Sequence, residues 1–478
     1  MSTQTHHLHW TRQDQQQNPY PLLPFDVPTG TAQITITYNV LPTSPETPQT
    51  QNIIDLGLFD PRGHSFLDAP GFRGWSGGAR STITISAHQA TPGYLPGPIQ
   101  AGTWRVLLGL YRIAPQGCDL AITITLQPGD PTPTAPPAYP SPGVLRDRPG
   151  WYRGDLHCHT HHSDATGSVA DLVQAARSQN LDFIAVTDHN TISHLPDLAR
   201  QQSPTLLLIP GIEITTYRGH ANVWGVREWI DFRATGDAEM RRIREHVYAL
   251  GLPFSINHPK HNGPAWMFDD LFDADAVEAW QGPWWLGNHE SLAFWERLLR
   301  QGKRIPLVGG SDKHQKPFTG ELTRHEVGMP TTWVYAQNLS ERAILEGIRA
   351  GHVFVSQSPL GPRIECTAQA GGQTAMLGDE LAVAPGRAID LTCRITGGAS
   401  CAENGGLLRV IDKNGETRRV RIDADDWRYT WQIRAHHQDH NYVRVEVVKA
   451  TTAPPDQDPA PLVCALGNPI YIRAPSQA

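Results

Sequence analysis

Five apolar runs in the middle of the chain each break off into histidine or carboxylate. The segment starting at Arg153 reads RGDLHCHTHHSDATGS; LDFIAV leads into Thr187, Asp188 and His189; TLLLIPGI leads to Glu213; LPFSIN leads to His258; RIPLVGGS leads to Asp312 and His314. Between these runs lie helical stretches, and strands alternating with helices describe a mostly parallel sheet or barrel. Such folds gather their sites at the carboxyl ends of the strands, so segments distant in sequence have one mouth at which to meet. Burying that many ionisable groups is costly unless something binds them.

The spacing points to metal. His157 and His159 stand two residues apart, as do Asp312 and His314, and on a strand both members of each pair face the same side. Cys158 then faces the wall. Imidazole nitrogen and carboxylate oxygen suit zinc, manganese or iron, and no Cys-x-x-Cys pair suggests a purely structural zinc site.

At 478 residues the chain is long enough for roughly three domains. Residues 1–127 carry short β-branched runs such as AQITITYNV, STITISAH and DLAITITLQ, separated by Gly/Pro turns, and read as a β-sandwich. Residues 128–150 are proline-rich and read as a semi-rigid linker. Residues 151–357 hold the alternating strand and helix pattern. There Val169, Leu172, Val173 and Ala176 share one helical face behind a Ser168/Asp171 capping box, and Met240, Ile243, Val247 and Leu250 share another, stopped by Gly251. Residues 358–478 return to strands as a second sandwich, with a hairpin turn at Lys413-Asn414-Gly415 and an exposed loop over 451–461.

Composition excludes several classes. The net charge of −7 comes without any long basic run, so duplex nucleic acid is not an expected partner. No segment approaches the length of a membrane span and the N-terminus has no leader pattern, so a cytoplasmic protein without membrane contact is expected. The six cysteines are scattered and read as small buried hydrophobes rather than a disulfide scaffold. His6, His7, His9 and His162 are expected in solvent. Trp266, Trp280, Trp284 and Trp285 are expected in core or interdomain packing, with pocket lining as the alternative.

DLHCHTHHSD, VTDHN, GIEITT, INHP and GGSDKH, in that order, resemble the signatures of the PHP (polymerase and histidinol phosphatase) superfamily over roughly residues 153–358. GHANVWG, GHVFVSQSPLGP and the flanking β-domains look like its carbaryl-hydrolase-like (CehA/McbA) branch. The resemblance implies a central distorted (β/α)7 barrel between two β-sandwiches, holding two or three divalent ions. By motif, His157, His159, Glu213 and Asp312 would hold one ion, Asp164, His189 and His314 a second, and Glu213, His220 and His258 a third. His161 or His162 could compete with Asp164. Asp188 would orient a ligand from behind.

Such ions would lower the pKa of a shared water and polarise the scissile group. Their positive excess over Asp164, Glu213 and Asp312 favours an anionic small molecule, with Arg218, Lys260 and Lys313 beside the ligands to bind it. His258, if not bound to metal, or His261 would protonate the leaving group. The expected function is therefore a metal-dependent hydrolase cleaving a small phosphomonoester or phosphodiester. The alternatives are a carbamate or carboxyl-ester hydrolase and a non-catalytic binding module. The sequence leaves the oligomeric state open.

Overall fold

A computed structural model of the chain describes residues 1–41, 51–129, 139, 142–261, 264–315, 325–401, 405–435, 441–450 and 462–474. Residues 130–138, 140 and 141 of the proline-rich 128–150 stretch and the whole 451–461 loop lie outside the described residues. Strands dominate a multidomain chain.

The N-terminal residues build two antiparallel sheets. One runs Ser2–Trp10, Cys118–Pro128, Thr31–Leu41, Thr82–Ser86, and the other Leu22–Val27, Gly102–Arg112, Ile53–Phe59, Phe72–Gly77. Alternation decides the layers: Ile34, Ile36 and Ile122 from one sheet meet Leu56, Leu108 and Trp104 from the other in one core.

The middle of the chain forms a row that runs in space Gly150–Cys158, Phe183–Val186, Leu207–Thr216, Gly219–Trp224, Phe254–Ile256, Ala276–Gln281 and Leu307–Gly310. Its pairings are parallel except around Gly219–Trp224, which is antiparallel to both neighbours. That exception follows from a tight turn at Tyr217-Arg218, which returns the chain where a helix would otherwise carry it across. Helix Val169–Ser178 starts at the Ser168/Asp171 capping box and buries Val169, Leu172, Val173 and Ala176. In helix Asp237–Ala249, Met240, Ile243 and Val247 are buried, but Leu250 caps the end and is exposed, because the chain leaves the helical path there.

The row bends back on itself. The Asp312 amide donates to the His157 carbonyl (2.8 Å) and the His159 amide to that of Lys313 (3.2 Å). Asp155 ties the closure: its carboxylate accepts from the amides of His157 (3.2 Å), Ser311 (2.9 Å) and Gly328 (2.7 Å). Gly310 must be small here, since a Cβ would collide with that of His157 and lie 2.9 Å from Glu278 Oε1.

Beyond Gly150–Cys158 the same sheet continues through Thr331–Ala336 and Val353–Ser356 into Val463–Gly467, Asn441–Lys449, Gly406–Asp412 and Gly415–Ile422. The last two form the expected hairpin, Asp412 pairing with Gly415. Against this extension packs a separate sheet of Gln373–Met376, Arg363–Ala370, Ala388–Thr396 and Asp426–Arg434. Cys366 and Cys393 are register partners on two of its strands and form a disulfide. This corrects the expectation that all six cysteines are simple hydrophobes: residues 27 apart in sequence become neighbours only through strand register. Cys118, Cys158 and Cys464 are free and buried. No helix among the described residues is long and apolar enough to cross a membrane.

The N-terminal sandwich lies against the loops that follow the row's strands. Phe72 stacks on Trp229 at 3.8 Å, Tyr20 on Tyr217 at 5.2 Å, and Tyr217 Oη donates to Asp55 Oδ2 (2.7 Å). Burial pushes the Asp55 carboxyl up to about 7, against the Tyr217 hydrogen bond and His189. Unfolded, the same group loses its proton near pH 4. Between about pH 4 and 7 the unfolded chain releases this proton while the folded protein keeps it, so Asp55 lowers stability progressively as pH rises through that window. Asp55→Asn should lack this decline. Its stability relative to wild type should grow by an amount on the order of a few kcal/mol from pH 4 to 7, read by urea denaturation of the metal-free protein.

Candidate metal centre

Four ligand atoms converge where the row closes. His157 Nε2 lies 3.4 Å from Glu213 Oε2 and 3.3 Å from Asp312 Oδ1; His159 Nε2 lies 3.4 Å and 2.9 Å from the same two oxygens. All four atoms are buried and none has a hydrogen-bond partner. A tetrahedral ion with bonds of about 2.0–2.1 Å sets its ligand atoms about 3.3–3.4 Å apart, which three of these four nitrogen–oxygen pairs show, the His159–Asp312 pair standing closer at 2.9 Å. The donor set therefore fits a divalent first-row metal.

Each ligand is aimed from behind. His157 Nδ1 meets Glu278 Oε1 at 2.9 Å, leaving Nε2 for the centre, and Glu278 Oε2 accepts the His258 amide (3.2 Å). Asn257 Nδ2 donates to Glu213 Oε1 (2.8 Å) and Gln281 Nε2 to Asp312 Oδ2 (2.6 Å), so each carboxylate keeps its other oxygen for the cluster. Asp312 and His258 hold left-handed backbone at φ 51° and 26°, an unfavourable conformation for non-glycine residues that their hydrogen bonds and packing sustain.

Asp164, His189 and His314 gather beside this group. His314 Nε2 is 3.2 Å from Asp164 Oδ1 and 3.3 Å from His189 Nε2, and His189 Nε2 is 3.6 Å from Asp164 Oδ1. His314 Nδ1 meets the Asp312 carbonyl (2.9 Å) and His189 Nδ1 faces Glu213 Oε2 (2.8 Å). On the other flank, His220 Nδ1 and His258 Nε2 approach Glu213 Oε1 at 3.2 and 3.4 Å. All three predicted ligand groups are thus brought together, with Glu213 common to the first and third.

The electrostatics favour a cation at this centre. Burial opposes ionisation of Glu213 and Asp312, yet the surrounding imidazoles outweigh it and hold both carboxyls well below their usual range. Burial and the neighbouring His314 and His189 push His159 down to about 4, whereas His314, despite burial, is raised to about 10 by Asp312 and Asp164. The two carboxylates thus favour positive charge between them.

The remaining predicted residues divide. Asp188 accepts from the Thr160 amide and hydroxyl and from Ser163 (each 2.7 Å), and its histidine partner is His194, so it shapes the loop after the first strand. Lys260 is buried, donating to Gln281 Oε1 (2.5 Å) and Asn288 (3.2 Å) one side chain behind Asp312. Arg218 donates to the Met267 carbonyl (2.6 Å) and covers Phe268, while Lys313 donates to the His325 carbonyl (2.5 Å). His261 is exposed, its amide held by Glu290 (2.7 Å).

His162 corrects the reading that placed it in solvent. It is buried between Ser193 (2.8 Å) and Asp197 (3.2 Å), because the 190–194 loop folds over it. Trp280 is buried, Trp266 packs against Phe268, and Trp285 is exposed. Sequence reasoning missed Glu278, Asn257, Gln281 and Asp155. For Asp155 the available signal was its place two residues before His157 on the same strand; Glu278 stands between Val277 and Ala279, apart from the histidine motifs.

Residues 155–243 match the family model of the PHP domain. A 5'-3' exoribonuclease of Haemophilus influenzae is 36% identical over 63 residues, 13% of this chain and 23% of that protein. The 5'-3' exoribonuclease Rnm of Salmonella typhimurium is 31% identical over 108 residues, 22% of this chain and 29% of that protein. The matches thus span less than a third of these curated relatives. A solved two-domain protein from Bacteroides vulgatus, described as containing a predicted PHP-like metal-dependent phosphoesterase, is 18% identical with a TM-score of 0.37, covering 70% of this chain and all of that one.

Glu278→Gln should keep the fold and lower metal affinity about 10–100-fold, because His157 loses the carboxylate that aims it. Titration of the apo-protein with zinc against a competing chelator measures this, and unchanged affinity would contradict the assignment.

Proposed function

We propose that the chain is a metal-dependent phosphoesterase acting on a small phosphomonoester or phosphodiester. The observation that carries this reading is the set of four buried, hydrogen-bond-free ligand atoms of His157, His159, Glu213 and Asp312. Asp164, His189 and His314 make a second metal position, and His220 and His258 with Glu213 a third. Bound divalent ions, zinc, manganese or iron, would supply a water of lowered pKa and positive charge toward the phosphoryl oxygens.

The chain's own residues do the positioning. Glu278, Asn257 and Gln281 hold the ligands in one orientation before substrate arrives, so little reorganisation is left for the reaction. With His258 Nε2 turned to Glu213, the exposed His261 is the assigned donor of the leaving-group proton. The row of strands from 150 to 310 is read as a distorted (β/α)7 barrel, the core of a unit spanning 151–357 between domains at 1–127 and 358–478. A cytoplasmic location belongs to the same proposal.

The curated relatives are named exoribonucleases, and ribonuclease chemistry is phosphodiester cleavage, which favours phosphorus over carbonyl. A second reading, hydrolysis of a carbamate or carboxyl ester, draws on a cavity of about 320 Å³ beside His159 and His314, lined by Leu172, Ala175 and Val327. Its apolar wall suits a neutral group.

Purified protein should cleave p-nitrophenyl phosphate or its diester only with divalent metal, with inorganic phosphate a competitive inhibitor. His157→Ala and Asp312→Asn should each cost at least about 100-fold in kcat/KM with the circular dichroism spectrum kept. Preference for 1-naphthyl acetate over every phosphoester would instead support the ester reading.

A further inference from the structure

Of the three cations expected to hold the substrate anion, Lys313 is engaged at the His325 carbonyl and Lys260 against Gln281 and Asn288, while Arg218 lies over Phe268 with a bond to the Met267 carbonyl. We propose that the N-terminal sandwich supplies a further charge, with Arg80 binding the phosphoryl oxygens of the substrate at the rim of the metal centre. The inference rests on the phosphoesterase reading.

Arg80 follows the strand Phe72–Gly77 and is half-buried. Its Nη2 donates to the carbonyl of His161, in the loop that carries the metal ligands. That loop is tight: the His161 amide donates to Gly167 (2.7 Å) and the Ala165 amide to Thr160 (3.2 Å). Asp164 lies on it, three residues from the Arg80 contact, facing His314 and His189.

Several other arginines on or against the sandwich have carboxylate partners. Arg62 and Arg73 hold Asp60, and Arg233 holds Asp231. Arg80 has no carboxylate partner among the described residues, and one bond to a carbonyl leaves most of the guanidinium donors for a ligand. A planar fork of donors matches two phosphoryl oxygens at once.

The sandwich is fixed where this requires it. The Gly93 amide donates to Ser193 Oγ (3.0 Å), Thr191 donates to the Gly93 carbonyl (2.9 Å), and Ser193 in turn meets His162. Gly93 has φ +99°, and a Cβ there would stand 2.9 Å from the His162 carbonyl oxygen, so only glycine allows this approach. Tyr217 and Asp55 make a second anchor beyond the Thr216 strand end. Arg80 is therefore held in place ahead of binding, which limits the ordering cost when an anion arrives.

The test compares wild type, Arg80→Gln and Arg80→Lys, each loaded with metal, using p-nitrophenyl phosphate as substrate and inorganic phosphate as inhibitor. Glutamine keeps a donor for the His161 carbonyl and removes the charge. It should raise KM and the phosphate inhibition constant together by about tenfold or more, kcat falling less than KM rises and metal content staying at the wild-type value. Lysine should recover part of both. Unchanged KM and inhibition constant in an active Arg80→Gln variant would overturn the assignment, as would loss of metal or folding that Lys does not recover, which would mark a structural role. If wild type itself cleaves no phosphoester and calorimetry detects no phosphate binding, the phosphoesterase reading fails and this inference fails with it.

Discussion

Two imidazole nitrogens and two carboxylate oxygens are buried together without hydrogen-bond partners, and they stand within 2.9–3.4 Å across the four nitrogen–oxygen pairs. Buried carboxylates of this kind are tolerable only with positive charge between them. Much of the surrounding chain serves that requirement. Glu278 faces Nδ1 of His157, Gln281 and Asn257 each take one carboxylate oxygen, and Asp155 draws the last strand onto the first so that His157 and Asp312 can meet.

The arrangement carries local costs. Asp312 and His258 adopt backbone conformations that side chains disfavour, and Gly310 gives up a side chain so that His157 can lie against it. Strain of this sort is sustained by rigid surroundings, here the strand row and its helices. The sheet also runs on unbroken into the C-terminal strands, and the buried Arg444 joins Glu446 on those strands to Glu296 on helix Asn288–Arg300. The site is thus braced from the C-terminal side by sheet and ion network, and from the N-terminal side by the sandwich.

Much of this was legible in the sequence because it is local. Histidine and carboxylate at strand ends, the two-residue spacing of His157 and His159, the capping box at Ser168 and the turn before Gly415 are all set by residues near one another in the chain. What escaped depends on distance. Glu278 sits within strand Ala276–Gln281 between Val277 and Ala279, and its role exists only because another strand lays His157 beside it. His162 looked exposed until the 190–194 loop covered it. The Cys366–Cys393 pair needed strand register, and Lys260, Lys313 and Arg218 needed their carbonyl and amide partners, before their occupation could be known.

An anomalous difference map, recorded at the absorption edge of the metal that the purified protein carries, tests the central claim directly. The account predicts a peak about 2.0–2.2 Å from His157 Nε2, His159 Nε2, Glu213 Oε2 and Asp312 Oδ1. Crystals of hydrolytically active protein with no peak there, and with protons or water between the four atoms in its place, would contradict it.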